Sequence, residues 1–257
     1  MEQHTCANCG NTFTDEFCNH CGQKTAHRIT IKHIFHDIAH AFTHADKGII
    51  NLFLQLFVRP GVVAREYIVE GKRKKYFNPF QYILILGSIA VFVAVNSHFM
   101  ETTMEVVGGP ATDFSARQRE FMHTVSNYQT KYFNLMILLQ LPFFALGSYW
   151  VYRKYKFNYA EHLTLHTFLT AQTTLVSMIT MFFIAVSGRP GVYIGGFIAI
   201  LSAIYQVFAF TQFFREKSFK GVLRGIAAYL IGFAVSSLLM ILIVAVLAVI
   251  IVSHYKK

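Results

Sequence analysis

The sequence predicts an all-α membrane protein built around five transmembrane helices, and two observations lead to that fold class. Hydrophobic residues make up 54% of the 257-residue chain and charged residues only 14%, whereas soluble domains carry about 25% charged residues. Five apolar segments each supply the roughly 20 residues that a helix needs to cross a hydrocarbon core. None of them contains Lys, Arg, Asp or Glu; they are residues 80–99, 133–151, 163–186, 192–214 and 225–252. Residues 80–257 are therefore predicted to form a five-helix transmembrane bundle.

All four cysteines lie near the N-terminus, in two C-x-x-C-G motifs. Each motif presents two thiolates to one ion, the following glycine allows a tight turn, and two such turns complete a tetrahedral Zn²⁺ site. The predicted ligands are Cys6, Cys9, Cys18 and Cys21. Four thiolates fill the coordination sphere, so the zinc is predicted to be structural, in a ribbon over residues 1–27. Two disulfides are the alternative, but the basic flank indicates that this end lies in the reducing cytoplasm.

A basic stretch separates the polar N-terminal region from the apolar segments. It follows a short predicted helix that starts at Pro60, and its four consecutive cations are Lys72, Arg73, Lys74 and Lys75, hereafter the basic collar. Cations followed by aromatic residues are typical of a cytoplasmic headgroup layer, where phosphates neutralise the charge. The candidate residues for a lipid phosphate or for the interface are Arg65, Tyr67, Lys72, Arg73, Lys74, Lys75 and Tyr76. The alternative is that these residues only orient the chain.

Residues 28–79 are predicted to form amphipathic interfacial helices that carry the collar. In residues 31–45, apolar side chains share one helical arc and four histidines share the polar arc. The histidines are His33, His36, His40 and His44. This stripe suggests a metal site or a pH sensor, because histidine binds metals and titrates near neutral pH. A solvated polar face is the alternative.

The distribution of Lys and Arg predicts which way the chain faces. If the five segments cross in turn, seventeen Lys and Arg residues fall on the side of the N-terminus and six on the other. The positive-inside rule then places the N-terminus in the cytoplasm and the C-terminus outside. Because the cations cluster beside apolar segments, anionic lipid headgroups are the expected partner and nucleic acid is disfavoured.

The third apolar segment opens with an acidic residue and two histidines. Glu161 is favoured by the positive end of the helix dipole, and His162 and His166 lie one turn apart on one face. The pair could bind a metal or relay a proton, although a helix cap and an interfacial histidine would look the same. Hydroxyl and amide side chains continue along the segment, so we expect it inside the bundle rather than against lipid.

Enzyme motifs such as H-E-x-x-H, G-x-S-x-G and a phosphate-binding glycine-rich loop are missing from the sequence. The sequence therefore favours a non-enzymatic membrane protein whose ribbon and collar organise a cytoplasmic protein partner or anionic lipid. One alternative is a transporter, channel or lipid flippase that uses the polar third span. Another is a metal-dependent membrane enzyme built on the histidines. Whether the chain forms a homo-oligomer stays open.

Three motifs are distinctive in combination: C-A-N-C-G with C-N-H-C-G-Q, then P-G-V-V-A-R-E-Y-I-V-E-G-K-R-K-K-Y-F-N-P, then Y-A-E-H-L. Together they resemble an uncharacterised family of bacterial integral membrane proteins, a domain of unknown function with an N-terminal zinc ribbon. The resemblance implies a multi-pass protein of the bacterial inner (cytoplasmic) membrane that holds zinc through its four cysteines. It implies no activity.

Overall fold

The structure, a computed structural model, contains seven α-helices and one short β-hairpin in the part of the chain that it describes. That part comprises residues 3–25, 28–32, 49–96, 131–187 and 191–255, together with residues 115, 120, 124–125 and 127–128. The helices are α1 (Ile49–Val58), α2 (Pro60–Ile68), α3 (Pro79–Asn96), α4 (Phe133–Val151), α5 (Tyr159–Ser187), α6 (Gly191–Phe213) and α7 (Phe219–Tyr255). The mostly helical fold is thereby confirmed. The predicted helix over residues 31–45 lies almost wholly outside the described residues and stays a prediction.

The N-terminal region folds as a small ribbon around the cysteines. Its hairpin pairs β1 (His4–Thr5) with β2 (Thr12–Phe13) in antiparallel register. Cys6, Phe13 and Cys18 form the buried cluster of the ribbon. A core of this size is too small to stabilise a fold without a metal or a neighbouring surface.

Helices α3 to α7 correspond in residue range to the five segments that were predicted to cross the membrane. Three stretches of the described residues are long and apolar enough to do so, namely Arg73–Val93, Gly196–Phe213 and Phe219–Val246. The apolar part of α4, Leu135–Val151, is shorter. Helix α5 has the length, but its Thr, Gln and His residues lower its hydropathy. The structure therefore supports a membrane protein with three candidate spans, and the count of five is not confirmed.

Helix α5 lies at the centre of the bundle. It packs against α2, α3, α4 and α6, and α4 packs in turn against α7. The first half of α5 is largely buried, including Leu165, Phe168 and Leu169. The Thr164 hydroxyl is satisfied within the helix, because its Oγ1 donates to the Ala160 carbonyl oxygen at 2.8 Å. This half of the third segment thus lies inside the bundle, as its polar composition predicted.

The charged residues meet at one end of the bundle, where the connections before α3, between α4 and α5, and between α6 and α7 come together. Arg65 of α2 donates from Nη1 to the carbonyl oxygen of Phe213 at 2.8 Å. Lys154, after α4, pairs with Glu216, after α6. We call this region the basic end and define it as residues 59–75, 153–161 and 215–224, in which Lys and Arg outnumber Asp and Glu.

Candidate functional site

The four predicted zinc ligands come together in the ribbon. Their sulfur atoms all lie within 4.8 Å of one another. The Sγ atoms of Cys6 and Cys21 are 3.5 Å apart, and those of Cys9 and Cys18 are 3.6 Å apart. A Zn–S bond of about 2.3 Å places the sulfurs of a tetrahedral site about 3.8 Å apart. The arrangement therefore has the donor set and the spacing for one tetrahedral metal ion.

Two turns of the same geometry hold these sulfurs, and we call them the first and second knuckle. In the first, the Cys6 N–H donates to the Asn11 carbonyl oxygen at 2.8 Å and the Gly10 N–H donates to the Cys6 carbonyl oxygen at 2.9 Å. The second knuckle, residues 18–23, repeats both bonds at 2.8 Å. Gly10 has a φ of +77° and Gly22 a φ of +70°, a backbone conformation that glycine adopts at little cost. The glycine of each C-x-x-C-G motif is therefore needed for the turn.

The knuckles shift the pKa values of three of the thiols, and not all in one direction. Burial raises the pKa of Cys18, but the N–H groups of Cys21 and His20 lower it to about 6. The N–H group of Gln23 is the main cause of the lowered pKa of Cys21. A hydrogen bond from the Asn11 N–H lowers the pKa of Cys9, but desolvation and the neighbouring sulfurs raise it, so the shifts do not all favour the thiolate form that binds a metal.

The ribbon is docked on the basic collar through Gln23. The Gln23 side chain donates from Nε2 to the Gly71 carbonyl oxygen at 2.7 Å, and its Oε1 accepts from the Lys74 N–H at 3.0 Å. Gln23 is buried. The ribbon that carries the four cysteines and the collar, which the sequence presented as separate candidates, are thus in direct contact.

A second connection joins the segment after the ribbon to the start of α5. Arg28 binds both carboxylate oxygens of Glu161, at 2.8 and 3.0 Å, and donates to the Lys156 carbonyl oxygen at 2.8 Å. Glu161 also closes a capping box with Asn158: Oε2 accepts from the Asn158 N–H at 2.7 Å, and Asn158 Oδ1 accepts from the Glu161 N–H at 2.9 Å. Glu161 therefore starts the helix and anchors Arg28, which accounts for it without a catalytic role.

The two histidines of the third segment lie on either side of a serine that the sequence analysis missed. Ser148 Oγ of α4 is 2.9 Å from His162 Nδ1 and 3.0 Å from His166 Nε2. All three side chains are buried, and His162 Nε2 and His166 Nδ1 have no hydrogen-bond partner. Among the described residues, no third potential metal ligand lies beside the two histidines, and the four cysteines are the one cluster that could hold a metal ion. The structure therefore connects α4 to α5 through this hydrogen-bonded set but assembles no metal site there.

Glu66 is the acidic centre of the collar. Lys75 Nζ lies 2.5 Å and the Tyr76 hydroxyl 2.6 Å from Glu66 Oε2. Burial raises the pKa of Glu66, but hydrogen bonds from Lys75 and Tyr76 outweigh burial, so the pKa is lowered. Lys72 Nζ is likewise 2.8 Å from Glu70 Oε2. Two of the four collar cations thus form ion pairs within the protein.

Other residues predicted to meet lipid phosphate also serve the packing of the bundle. Tyr67 is buried against Phe168, with ring centroids 5.2 Å apart. Arg65 holds the C-terminal end of α6, as described above. Lys74, by contrast, is exposed. The predicted set therefore contains packing residues, paired cations and one exposed cation, Lys74, while Arg73 is half-buried.

A second acidic centre, Glu216, was not predicted. Lys154, Tyr155 and Arg224 all donate to its Oε1 atom. Burial raises the pKa of Glu216, but these three hydrogen bonds lower it to about 2. Because the donors come from the α4–α5 connection and from α7, Glu216 joins three parts of the basic end.

Five cations of the basic end are exposed and form no ion pair with the acidic residues of the described chain. They come from three separate segments but lie at the same end of the bundle. We call them the exposed cation set: Lys74, Arg153, Lys156, Lys217 and Lys220. Of these five, only Lys74 was predicted to bind lipid. The sequence shows which cations lie near a span, but it does not show which of them form ion pairs with acidic residues in the fold.

The histidine stripe, His33, His36, His40 and His44, lies outside the described residues, so its metal or pH role stays a prediction.

One family matches part of this chain. It is described as a protein of unknown function (DUF3667), and it matches residues 46–91. The matched segment contains α1, α2, the basic collar and the first part of α3. No curated protein and no solved structure matches the chain. The matched residues are therefore those of the collar and of the helices next to it, and the description of the family names no activity.

Proposed function

We propose that this chain is a non-enzymatic, multi-pass protein of the bacterial inner membrane that binds anionic lipid headgroups at its basic end. Its five helices α3 to α7 cross the bilayer, with the ribbon in the cytoplasm and the C-terminus outside. The ribbon binds Zn²⁺ as a structural ion. The observation that carries the proposal is the exposed cation set at one end of an apolar bundle.

The location of the exposed cation set supports an anionic surface as the partner. A cation near an anionic leaflet contributes about 1 kcal/mol, so five cations contribute about 5 kcal/mol before screening. The acidic residues of the basic end do not reduce this attraction much, since Glu66, Glu70, Glu161 and Glu216 are already paired with other cations. If α3 to α7 cross the bilayer, its phosphate headgroups would be the anions adjacent to this end of the bundle.

Zinc fits the ribbon for reasons of donor chemistry. Four cysteine ligands at tetrahedral spacing are the usual structural Zn²⁺ site, and they leave no position for a substrate. Zinc bound there stabilises the ribbon and contributes no chemical step.

The other two functions raised by the sequence have less support. The Thr164 and Thr167 hydroxyls of α5 donate to carbonyl oxygens of their own helix, so these two donors are satisfied without a cargo. Among the described residues His162 and His166 lack a third ligand, and the histidine stripe that the sequence offered beside them lies outside those residues, so a metal-dependent enzyme stays an untested alternative.

Replacing all five members of the exposed cation set with glutamine is expected to abolish the preference for anionic lipid. The full chain in neutral detergent would be titrated with phosphatidylglycerol or phosphatidylcholine, and its melting temperature measured at each lipid concentration. For the wild type, we expect phosphatidylglycerol to raise the melting temperature more than phosphatidylcholine, by an amount that falls at high salt. The five-fold variant should show the same response to both lipids.

The matched control compares two single substitutions of exposed lysines. Lys220→Gln removes one cation from the basic end, whereas Lys131→Gln removes one that precedes α4, at the opposite end of the bundle. Only Lys220→Gln should weaken the phosphatidylglycerol response. If the five-fold variant keeps the wild-type lipid preference, headgroup binding is wrong, and the cations instead orient the chain or bind a cytoplasmic protein.

A further inference from the structure

The second knuckle ends in Gln23. The backbone of Gln23 is part of the turn that holds Cys18 and Cys21, and its side chain contacts the basic collar. The Gln23 carbonyl oxygen accepts from the Cys18 N–H at 2.8 Å and thereby closes the knuckle. Gln23 follows the ligand Cys21 by only two residues. Its side-chain position is therefore set by the same turn that positions two of the four sulfurs.

Both polar ends of the Gln23 amide bind the backbone of one tight turn. Nε2 donates to the Gly71 carbonyl oxygen, and Oε1 accepts from the Lys74 N–H. The turn needs Gly71, whose φ is +70°, and it connects the end of α2 to the first predicted span. Gln23 is only 5% exposed, so water does not compete readily for these bonds. The Gln23 amide thus connects Gly71 to Lys74, and we call this pair of hydrogen bonds the clamp.

The clamp depends on the metal because little else stabilises the ribbon. Its strands have two residues each, and its buried cluster consists of two cysteines and one phenylalanine. The four cysteines form no disulfide, so without an ion no bond between sulfurs holds the two knuckles together. Small metal-binding domains of this kind lose their fold when the metal is removed.

We propose that metal occupancy of the four-cysteine centre controls the conformation of the basic collar, with Gln23 as the residue that couples the two. This inference rests on the proposed zinc site but not on lipid binding. With the metal bound, Gln23 holds the turn from Gly71 to Lys74 closed. When the metal leaves, the second knuckle opens, Gln23 withdraws, and the backbone and cations of the collar become free to move.

The change should be local to the collar. Arg28 remains bound to Glu161, and the Asn158 side chain remains bound to the Ile29 carbonyl oxygen at 2.9 Å. These contacts lie outside the knuckles, so the start of α5 should keep its structure after metal loss. The structure of the collar should therefore change when the metal is lost, whereas the structure of the start of α5 should not. Both regions can be measured in one experiment.

Amide hydrogen exchange on the full chain in lipid nanodiscs tests the coupling. The Lys74 amide, which donates to Gln23, is expected to exchange about 30-fold faster after the zinc is removed with a chelator, the change that corresponds to two ordinary hydrogen bonds. The Val69 amide, which follows the last residue of α2, donates to the Arg65 carbonyl oxygen and should not change. Zinc is measured in the same samples by mass spectrometry.

Two variants separate the clamp from the metal site. Gln23→Ala should keep its zinc and still show the fast exchange at Lys74. Gln3→Ala, an exposed glutamine of the same ribbon, should keep both its zinc and the slow exchange. If zinc binds but its removal leaves Lys74 exchange unchanged, the coupling is wrong while the zinc site stands. If no metal binds to the cysteines, the zinc site and the coupling both fall, whereas the lipid titration is unaffected.

Discussion

Replacing Gly61 with alanine is expected to lower the melting temperature by about 10 °C. A Cβ atom at Gly61 would lie 2.1 Å from the Ala209 carbonyl oxygen and 2.6 Å from the Phe213 backbone nitrogen. Because these are backbone atoms of α6, α2 can only move away, and it then loses the bond from the Gly61 N–H to Gln212 Oε1 at 3.0 Å. Overpacking of this kind costs about 3 kcal/mol, which corresponds to about 10 °C for a chain of this size.

Gly196→Ala is the matched control for this substitution. Gly196 also lies in a helix, but a Cβ atom there would meet nothing within 4 Å. Alanine is the better helix former by about 1 kcal/mol, so this variant should be as stable as the wild type or slightly more so. Thermal unfolding in detergent measures both variants. Equal melting temperatures for Gly61→Ala and Gly196→Ala would mean that α2 does not pack against α6 as described.

Replacing Cys18 with serine is expected to reduce bound zinc from about one ion per chain to none. Structural zinc sites bind with about 10–16 kcal/mol, and three thiolates with one hydroxyl do not sustain that affinity. The ribbon should then lose its hairpin, while the helices keep their far-ultraviolet circular dichroism. Zinc analysis of the purified chain gives the first result, and amide exchange over residues 3–25 gives the second.

Thr14→Ser is the control for the cysteine variant, because Thr14 is an exposed ribbon residue outside the ligand set. It should retain zinc and the slow exchange of the hairpin. Retention of zinc by Cys18→Ser, or a metal-free wild type, would contradict the four-cysteine site.

The features that could be predicted from the sequence are those encoded by neighbouring residues. Apolar runs located the five long helices, and the C-x-x-C-G spacing located the sulfurs. Boundaries were less accurate, because helices extend beyond their apolar parts. Helix α7 starts at Phe219 rather than at residue 225, so Lys220 and Arg224 lie within it. Helix α5 starts at Tyr159 because the capping box of Asn158 and Glu161 precedes the apolar run.

The contacts that build the basic end could not be predicted, because they join residues far apart in the chain. Arg28 and Glu161 are separated by 133 positions, and Gln23 and Gly71 by 48. Nothing adjacent to Ser148 signals that it lies between two histidines. Which collar cations are neutralised likewise depends on the fold, since Glu66 reaches Lys75 only after the turn at residue 71 reverses the chain.

The most direct test of the account is the sidedness of the two ends of this chain. An epitope tag before the ribbon and another after α7 would be tested for protease accessibility in sealed membrane vesicles of known orientation. Five crossings and a cytoplasmic basic end predict that the ribbon tag is cut only from the cytoplasmic face and the α7 tag only from the opposite face. Cleavage of both tags from one face would contradict the account, as would recovery of the chain in the soluble fraction.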